Sequence, residues 1–342
     1  MYKNKKIYLC SFSNLDLSPS ALRLKKQAES FNIFDNIFIY NEYNLPYDEK
    51  FDKLLRKKLV PSRGFGYWCW KPFIVLKTLE SMNDNDILFY VDTGCHLNEE
   101  AINKFYEYLD IVIDKGSLCF KLILTEKSWT KSDLFNYFNI LNDKNITDSG
   151  QRVATSFFLL KNEINIEIVN KWLNVFYEDF SLADDTPSKI PNADIFIENR
   201  HDQSIFSILS KIHNFYTIKS EIDCYHDKYY PIWALRDKKD IYNFVASEAC
   251  DNFFNKLVWY IPIKNNRDSI RSRLRLYSAY LVKKYLGIEE HKDIVITNIN
   301  IIDSFLKHII DKKIIKYIKI NKDKINSIID YMNQYRKCIN RL

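Results

Sequence analysis

The chain has 342 residues, of which 46% are hydrophobic and 15% aromatic, and its formal net charge is +6. This length and composition exclude an intrinsically disordered protein and predict one large or two modest domains. No apolar run is long enough to span a membrane, and the seven cysteines lack CxxC spacing, so zinc is not expected. Without a signal-peptide pattern, a cytoplasmic location with reduced thiols is expected.

The first 125 residues alternate predicted strands with predicted helices. Apolar runs predict strands over residues 7–12, 36–40, 87–91 and 118–124. Capping residues and apolar spacing predict helices that start at Ser18-Pro19, cover 51–59 and 70–82, and follow Asn98. This alternation predicts an α/β fold built on a doubly wound, mostly parallel sheet.

After Thr125 the pattern is less regular. It predicts a strand over 153–160, helices over 164–180 and 201–212, and a loop over 184–191. From residue 241 the pattern is all-helical, and residues 253–342 contain 19 Lys and Arg against 8 Asp and Glu. We therefore predict a domain over residues 1–240 and a basic helical region over 241–342.

Three short motifs carry the chemistry of the first region. Residues 63–72 read RGFGYWCWKP, residues 90–94 read YVDTG and residues 201–204 read HDQS. Asp92 follows an almost wholly apolar strand, and ligands bind at the carboxyl ends of such strands in open α/β sheets. A carboxylate there can hold a divalent cation, which in turn can hold a diphosphate. Arg63 and Lys71 supply further positive charge for a diphosphate.

On these motifs the chain resembles GT-A glycosyltransferases of the kind encoded with bacterial capsule and lipopolysaccharide genes, over roughly residues 5–235. The resemblance implies transfer of a hexose from a UDP- or GDP-linked sugar to a surface-polysaccharide or lipid-linked glycan. It also implies Mn²⁺ or Mg²⁺ held by Asp92 and His226, with His96 as an alternative neighbour of the cation. One departure is Gly94, which stands where the family motif has a second aspartate.

The resemblance assigns roles to individual residues. Asp202 and Gln203 are expected beneath the anomeric carbon of the donor sugar, which implies a retaining reaction. The strand around Ala154 is expected to let the sugar approach the backbone. The residues expected to bind the donor are Arg63, Gly64, Gly66, Tyr67, Trp70, Lys71, Asp92, Thr93, Gly94, Thr155 and Ser156.

Each motif also has a purely structural interpretation. The aromatic residues of 63–72 could be core packing, and the glycines could allow a tight turn. Asp92 could form a turn after its strand, and Asp202 could cap its helix. His226 could be a surface histidine in a loop. Two other classes of protein stay open: a non-catalytic glycan-binding module and a basic nucleic-acid-binding protein.

The helix predicted over 270–286 is basic and amphipathic. Its apolar face comprises Ile270, Leu274, Tyr277, Leu281 and Tyr285, and Arg271, Arg273, Arg275 and Lys284 lie largely off that face. Such a helix suits an anionic membrane surface, which predicts peripheral contact with the inner face of the cytoplasmic membrane. The alternative is a helix packed on a core with a solvated basic face. No nucleic-acid-binding motif occurs, so nucleic acid is not expected as a partner.

Overall fold

The computed structural model describes residues 1–58, 63–238, 240–259, 262, 264–286 and 304–336. These residues form two compact units. The first comprises Met1–Asn14 and Arg23–Asp237, and the second comprises Leu15–Leu22 and the described part of Lys238–Asn340. The assignment of separate roles to residues 1–240 and 241–342 stays a prediction.

The strands of the first unit follow the predicted pattern closely. They are β1 (Ile7–Phe12), β2 (Asn36–Tyr40), β3 (Ile87–Val91), β4 (His96–Leu97), β5 (Ser117–Thr125), β6 (Gly150–Leu160), β7 (Thr217–Lys219) and β8 (Ile232–Trp233). The predicted bounds of β1, β2 and β3 are confirmed. β4, β7 and β8 have two or three residues each, which is too short for a periodic pattern.

The helices are predicted well where the sequence is periodic. They are α1 (Ser18–Phe31), α2 (Glu49–Lys58), α3 (Gly64–Tyr67), α4 (Trp70–Ser81), α5 (Ile102–Lys115), α6 (Glu126–Trp129), α7 (Ser132–Tyr137), α8 (Lys144–Thr147), α9 (Glu163–Glu178), α10 (His201–Ile212), α11 (Ile241–Val258), α12 (Lys264–Leu286), α13 (Ser304–Ile320) and α14 (Lys322–Arg336). Within the described ranges, no helix has the length and apolarity that crossing a membrane requires.

The described residues of the first unit contain a six-stranded sheet in the order β2-β1-β3-β6-β5-β7. β1 runs parallel to β2 and β3, and β7 runs parallel to β5. This confirms the predicted α/β class and mostly parallel sheet. β6 is antiparallel to β3 and β5, a direction that the apolar pattern does not encode. Because Ser156 pairs with Val91, the preceding residues of β6 lie at the edge where β3 ends.

Apolar cores lie on both faces of this sheet. On β3, Leu88 and Tyr90 belong to one core, and Ile87, Phe89 and Val91 belong to the other. Helices α4, α9 and α10 contribute to the first core, and α5 and the C-terminal part of α1 contribute to the second. The doubly wound arrangement is thereby confirmed, and burial on both faces explains why the central strands are apolar throughout.

The second unit has a helical core of its own, to which α11 through α14 contribute. Leu274, Tyr277 and Leu281 of α12 are buried in that core at 3%, 8% and 4% exposure. Ile270 and Tyr285, at the two ends of the predicted apolar face, are each 38% exposed. Most of that face therefore packs inside the protein, as the alternative interpretation predicts, and is not open to a membrane.

Candidate active site

The three predicted motifs contribute side chains to one cluster where β3 ends. Lys71 lies in the first turn of α4, Asp92 follows β3 directly, and Asp202 lies in the first turn of α10. Pro72 suits the beginning of α4 because a first-turn residue needs no N–H for an intrahelical bond. Both helices pack on the same face of the sheet, so their first turns can reach the same edge.

Lys71 joins the two aspartates. Its Nζ lies 2.8 Å from Oδ2 of Asp202 and 3.3 Å from Oδ1 of Asp92, and it donates a hydrogen bond to the carbonyl oxygen of Ala154 at 3.1 Å. The side chains of Lys71 and Asp202 are 4% and 6% exposed, whereas that of Asp92 is 18% exposed. The helix-cap interpretation of Asp202 is not supported, since Arg200 is the N-cap residue of α10.

Burial and ion pairing shift the pKa values of Lys71 and Asp202 in opposite directions. Burial alone would lower the pKa of Lys71, but Asp202 and Asp92 raise it overall. Burial raises the pKa of Asp202 above its usual range, although Lys71 opposes the shift. Burial and the charge of Asp92 raise the pKa of Tyr90 well above its usual range, so its hydroxyl stays protonated and donates to Oδ1 of Asp92 at 2.7 Å. Burial thus outweighs the ion pair in its effect on the pKa of Asp202, whereas the ion pairs outweigh burial in their effect on the pKa of Lys71.

Asp92 also begins a tight turn, as its structural interpretation predicts. Its N–H donates to the carbonyl oxygen of Thr155 at 2.9 Å, and its carbonyl oxygen accepts from the N–H of Cys95 at 2.9 Å. The hydroxyl of Thr93 is buried and donates to the carbonyl oxygen of Phe12 at 3.1 Å. The two roles are compatible, because the turn uses the backbone of Asp92 and the cluster uses its carboxylate.

A half-buried arginine of α1 fixes this turn. The guanidinium of Arg23 donates to the carbonyl oxygens of Thr93 at 2.6 Å and Cys95 at 3.1 Å. It also pairs with Asp237 at 2.9 Å. The N–H of Asp237 donates to the carbonyl oxygen of Gly94 at 2.9 Å. The backbone of residues 93–95 is therefore held by the Arg23 guanidinium and the Asp237 N–H, which leaves the Asp92 carboxylate in a defined position.

The two histidines suggested as metal neighbours have other surroundings. Nε2 of His96 lies 2.9 Å from Oδ2 of Asp237, and burial lowers the pKa of His96. His226 is exposed, and its ring lies 5.4 Å from that of Trp233. Among the contacts of the described residues, no hydrogen bond or ion pair joins either histidine to Asp92.

The arrangement at Asp92 does not fit a divalent ion while Lys71 is in place. Oδ1 of Asp92 already faces the Tyr90 hydroxyl and the Lys71 ammonium. Nowhere in the described ranges does a group of three or more His, Cys, Asp or Glu side chains have an arrangement that could hold a metal ion. Metal binding by Asp92 and His226 thus rests on the resemblance alone.

The glycines of the first motif lie in α3, which is a short left-handed turn and not a regular α-helix. All five residues over 64–68 have positive φ, between 52° and 69°, which side-chain-bearing residues rarely adopt. A Cβ on Gly64 would lie 2.1 Å from the indole of Trp68, and one on Gly66 would lie 3.0 Å from a Leu55 methyl. Nε1 of Trp70 donates to the carbonyl oxygen of Gly64 at 3.4 Å. The turn interpretation of the glycines therefore agrees with the structure.

His201 connects this turn to the third motif. Its ring lies 5.2 Å from that of Trp68 and 5.3 Å from that of Tyr67. Nδ1 of His201 lies 2.7 Å from the carbonyl oxygen of Ala183, which can only accept, so Nδ1 carries a proton. His201 itself has a φ of 51° and is 4% exposed. The aromatic side chains of the first motif thus pack beside the residue that precedes Asp202.

Arg63 differs from Lys71 in its exposure. Its side chain is 49% exposed and pairs with Asp185 at 3.3 Å and with Glu198 at 3.4 Å. Both carboxylates are themselves more than 40% exposed. Arg63 therefore has solvent access, and an anionic ligand could compete for its guanidinium.

Gln203 ties α10 to β6. Its Nε2 donates to Oε1 of Gln151 at 2.7 Å, and its Oε1 accepts from the N–H of Ala154 at 3.2 Å. Thr155 is half-buried, whereas Ser156 is fully buried and its Oγ has no hydrogen-bond partner in the described structure. Of the residues expected to line the donor sugar, Thr155 is thus the more accessible.

The sequence analysis did not find several residues that hold Asp92, Asp202 and Gln203 in place. It did not identify Tyr90 and Gln151 as hydrogen-bond partners, or Arg23 and Asp237 as supports of the turn. One signal was present: Lys71 lies inside the run WKPFIVL, all of which is buried in α4. A lysine in such a run needs buried partners, because lysine is almost never fully buried without them.

No protein-family model and no curated protein sequence matches the chain. One similar solved structure is a glycosyltransferase involved in the glycosylation of the major capsid of PBCV-1, at 11% identity and a TM-score of 0.36, covering 68% of this chain and 98% of that one. Another is mouse xyloside xylosyltransferase 1 in its apo form, at 10% identity and a TM-score of 0.35, covering 63% and 84%. Because both TM-scores are below 0.5, neither similarity indicates function.

Proposed function

We propose that the protein is a glycosyltransferase that moves a hexose from a UDP- or GDP-linked sugar to a surface-polysaccharide or lipid-linked glycan. The supporting observation is the cluster of Lys71, Asp92 and Asp202, which unites three distant motifs where β3 ends. Ligands of open α/β sheets bind at this edge. Burying charged groups opposes folding, so the fold alone does not explain why Lys71, Asp92 and Asp202 meet at this edge.

The exposed part of the cluster suits a sugar. An ionised carboxylate accepts hydrogen bonds and donates none, so Asp92 would bind hydroxyl groups of the donor and would repel its phosphates. The diphosphate would instead lie near the half-exposed guanidinium of Arg63, which can bind it through two parallel hydrogen bonds. On this proposal the sugar of the donor contacts the anionic Asp92, and the diphosphate contacts the cationic Arg63.

A retaining reaction is part of the proposal. Asp202 and Gln203 would lie beneath the anomeric carbon, and the leaving diphosphate would take the proton of the acceptor hydroxyl. The support is that Gln203 is hydrogen-bonded to the β6 backbone beside the cluster. An NMR time course of the product's anomeric proton tests this. The inverted anomer would remove Gln203 from the mechanism and make Asp202 a candidate base.

A thermal-shift panel of UDP-, GDP- and CMP-linked sugars tests the donor class, because a ligand that binds only the native state raises its melting temperature. We expect a UDP- or GDP-sugar to stabilise the protein, and CMP-sugars not to. Glycan binding without turnover of any nucleotide sugar would favour a glycan-binding module. Steeply salt-dependent binding of DNA or RNA, again without turnover, would favour a nucleic-acid-binding protein.

Peripheral membrane contact is proposed through α13 in place of the apolar face of α12. A surface groove on α13 is lined by Lys312, Lys316 and Lys319 together with Ile315 and Ile320, and Ile320 is 70% exposed. Cations near an anionic lipid surface contribute about 1 kcal/mol each. Replacement of the three lysines by glutamate should weaken binding to phosphatidylglycerol vesicles by about 100-fold or more. Equal binding by both proteins, or none by the wild type, would contradict this contact.

A further inference from the structure

Nζ of Lys71 occupies a position that is surrounded by oxygen atoms. They come from three elements: Oδ2 of Asp202 at 2.8 Å on α10, the carbonyl oxygen of Ala154 at 3.1 Å on β6, and Oδ1 of Asp92 at 3.3 Å after β3. Two carboxylates and a carbonyl are the ligand types that hard divalent cations use in proteins. Here the centre of the oxygen cage is filled by a nitrogen from a fourth element, α4.

The ammonium group lies close to three oxygen atoms of the cage. A lysine ammonium has three N–H groups and no acceptor, and three oxygens lie within reach of Nζ. The contact with Ala154 is a hydrogen bond, the contacts with Asp92 and Asp202 are ion pairs, and Oδ2 of Asp202 has no hydrogen-bond partner in the described structure. With its side chain 4% exposed, Lys71 is shielded from a phosphate of a nucleotide by burial. Its positive charge is therefore balanced inside the protein by the carboxylates of Asp202 and Asp92. The resemblance assigns the second of these to a metal ion.

We propose that the ammonium of Lys71 is the resident cation of this site, in place of the Mn²⁺ or Mg²⁺ expected at Asp92, so that donor binding needs no metal. This inference rests on the proposed function only for its reference to a donor. Lys71 acts as a positioning residue: it fixes the carboxylates of Asp92 and Asp202 and does not touch the diphosphate. The charge of the diphosphate is then met by Arg63.

Direct metal titration tests this without any nucleotide. We expect the wild-type protein to show no stoichiometric Mn²⁺ binding by electron paramagnetic resonance of free Mn²⁺. Lys71→Met empties the oxygen cage while leaving both carboxylates, so this variant should bind one Mn²⁺ at least tenfold more tightly than the wild type. The gain should vanish in Lys71→Met combined with Asp92→Asn. One equivalent of Mn²⁺ on the wild type, lost in Asp92→Asn, would overturn the proposal, as would a folded Lys71→Met that gains no site.

Nucleotide binding provides a second measurement that does not depend on the folding of Lys71→Met. The affinity of the wild type for UDP or GDP should change by less than twofold when EDTA is added, and a tenfold loss would overturn the proposal. Failure of both nucleotides to bind, with or without Mn²⁺, would count against the proposed function instead. In that case the Mn²⁺ titration of the wild type still decides whether Lys71 fills the cation site.

Discussion

Nζ of Lys71 lies 2.8 Å from Oδ2 of Asp202, and both side chains are almost completely removed from solvent. Each charge is buried only because the other is present, since an isolated buried charge is far costlier than a paired one. The pair therefore fixes the first turn of α4 against the first turn of α10, beside the end of β3.

Lys71→Met should lower the free energy of unfolding by about 3–5 kcal/mol at neutral pH, because it leaves the buried carboxylate of Asp202 and the half-buried one of Asp92 without a counter-charge. The loss should be smaller at pH 5, because burial raises the pKa of Asp202 and so favours proton uptake by the native state as the pH falls. Urea unfolding at both pH values measures this. Lys77→Met on the same helix is the control: Lys77 is more exposed, pairs with Glu80 at 3.0 Å, and should cost about 1 kcal/mol or less. Equal losses for the two lysines would contradict the account.

Asp202→Asn should lower kcat by about 100-fold or more while nucleotide affinity stays within twofold of wild type. The amide keeps the shape of the carboxylate, and Lys71 retains Asp92 and Ala154 as partners, so the loss of stability should be smaller than for Lys71→Met. Steady-state kinetics and nucleotide titration measure both effects. Asp194→Asn, at an exposed position, is the matched control. Unchanged turnover in Asp202→Asn would reduce Asp202 to a structural residue.

Arg63→Ala should weaken UDP or GDP binding by about tenfold or more, since a charge-assisted contact to phosphate contributes about 1.5–3 kcal/mol. Its ion pairs are exposed, so the free energy of unfolding should change by about 1 kcal/mol or less. Calorimetric titration and urea unfolding separate the two effects. Lys53→Ala, which removes another exposed cation, should leave the affinity unchanged. If Arg63→Ala behaves like Lys53→Ala, Arg63 does not bind the diphosphate.

Gly64→Ala should destabilise the protein more than Gly116→Ala. Both glycines have positive φ, so each substitution incurs the cost of a left-handed alanine, about 1–2 kcal/mol. At Gly116 the nearest atom to a new Cβ is 3.9 Å away, whereas at Gly64 the Trp68 indole is 2.1 Å away and must move. Thermal unfolding and tryptophan fluorescence together report the difference. A Gly64→Ala protein with wild-type fluorescence and the smaller loss would show that the indole does not depend on this glycine.

His96 should lower the free energy of unfolding in mild acid. Burial lowers its folded-state pKa below 6.5, so the unfolded chain binds more protons as the pH falls through that window. The free energy of unfolding of the wild type should therefore fall between about pH 6.5 and 5 more steeply than that of His96→Gln. His308→Gln, at an exposed position of α13, should retain the wild-type slope. Parallel profiles for wild type and His96→Gln would contradict the assigned direction.

The sequence predicted the elements better than the contacts between them. β3 was predictable because a strand buried on both faces must be apolar throughout, and α10 because its apolar residues recur at helical spacing. The Lys71–Asp202 contact was not predictable, because it depends on the antiparallel direction of β6 and on which sheet face each helix covers. The same limit applies to α12: an amphipathic face looks alike whether it meets a lipid surface or a protein core.

The most direct test of the proposed function is release of nucleoside diphosphate from a panel of UDP- and GDP-hexoses by the wild type and by Asp92→Asn. We expect at least one donor to be turned over by the wild type, and turnover to fall by about 100-fold or more in Asp92→Asn with little change in melting temperature. Wild-type protein that binds none of the donors and releases no nucleoside diphosphate would contradict the proposal. Equal turnover by Asp92→Asn would remove the Lys71, Asp92 and Asp202 cluster from the active site.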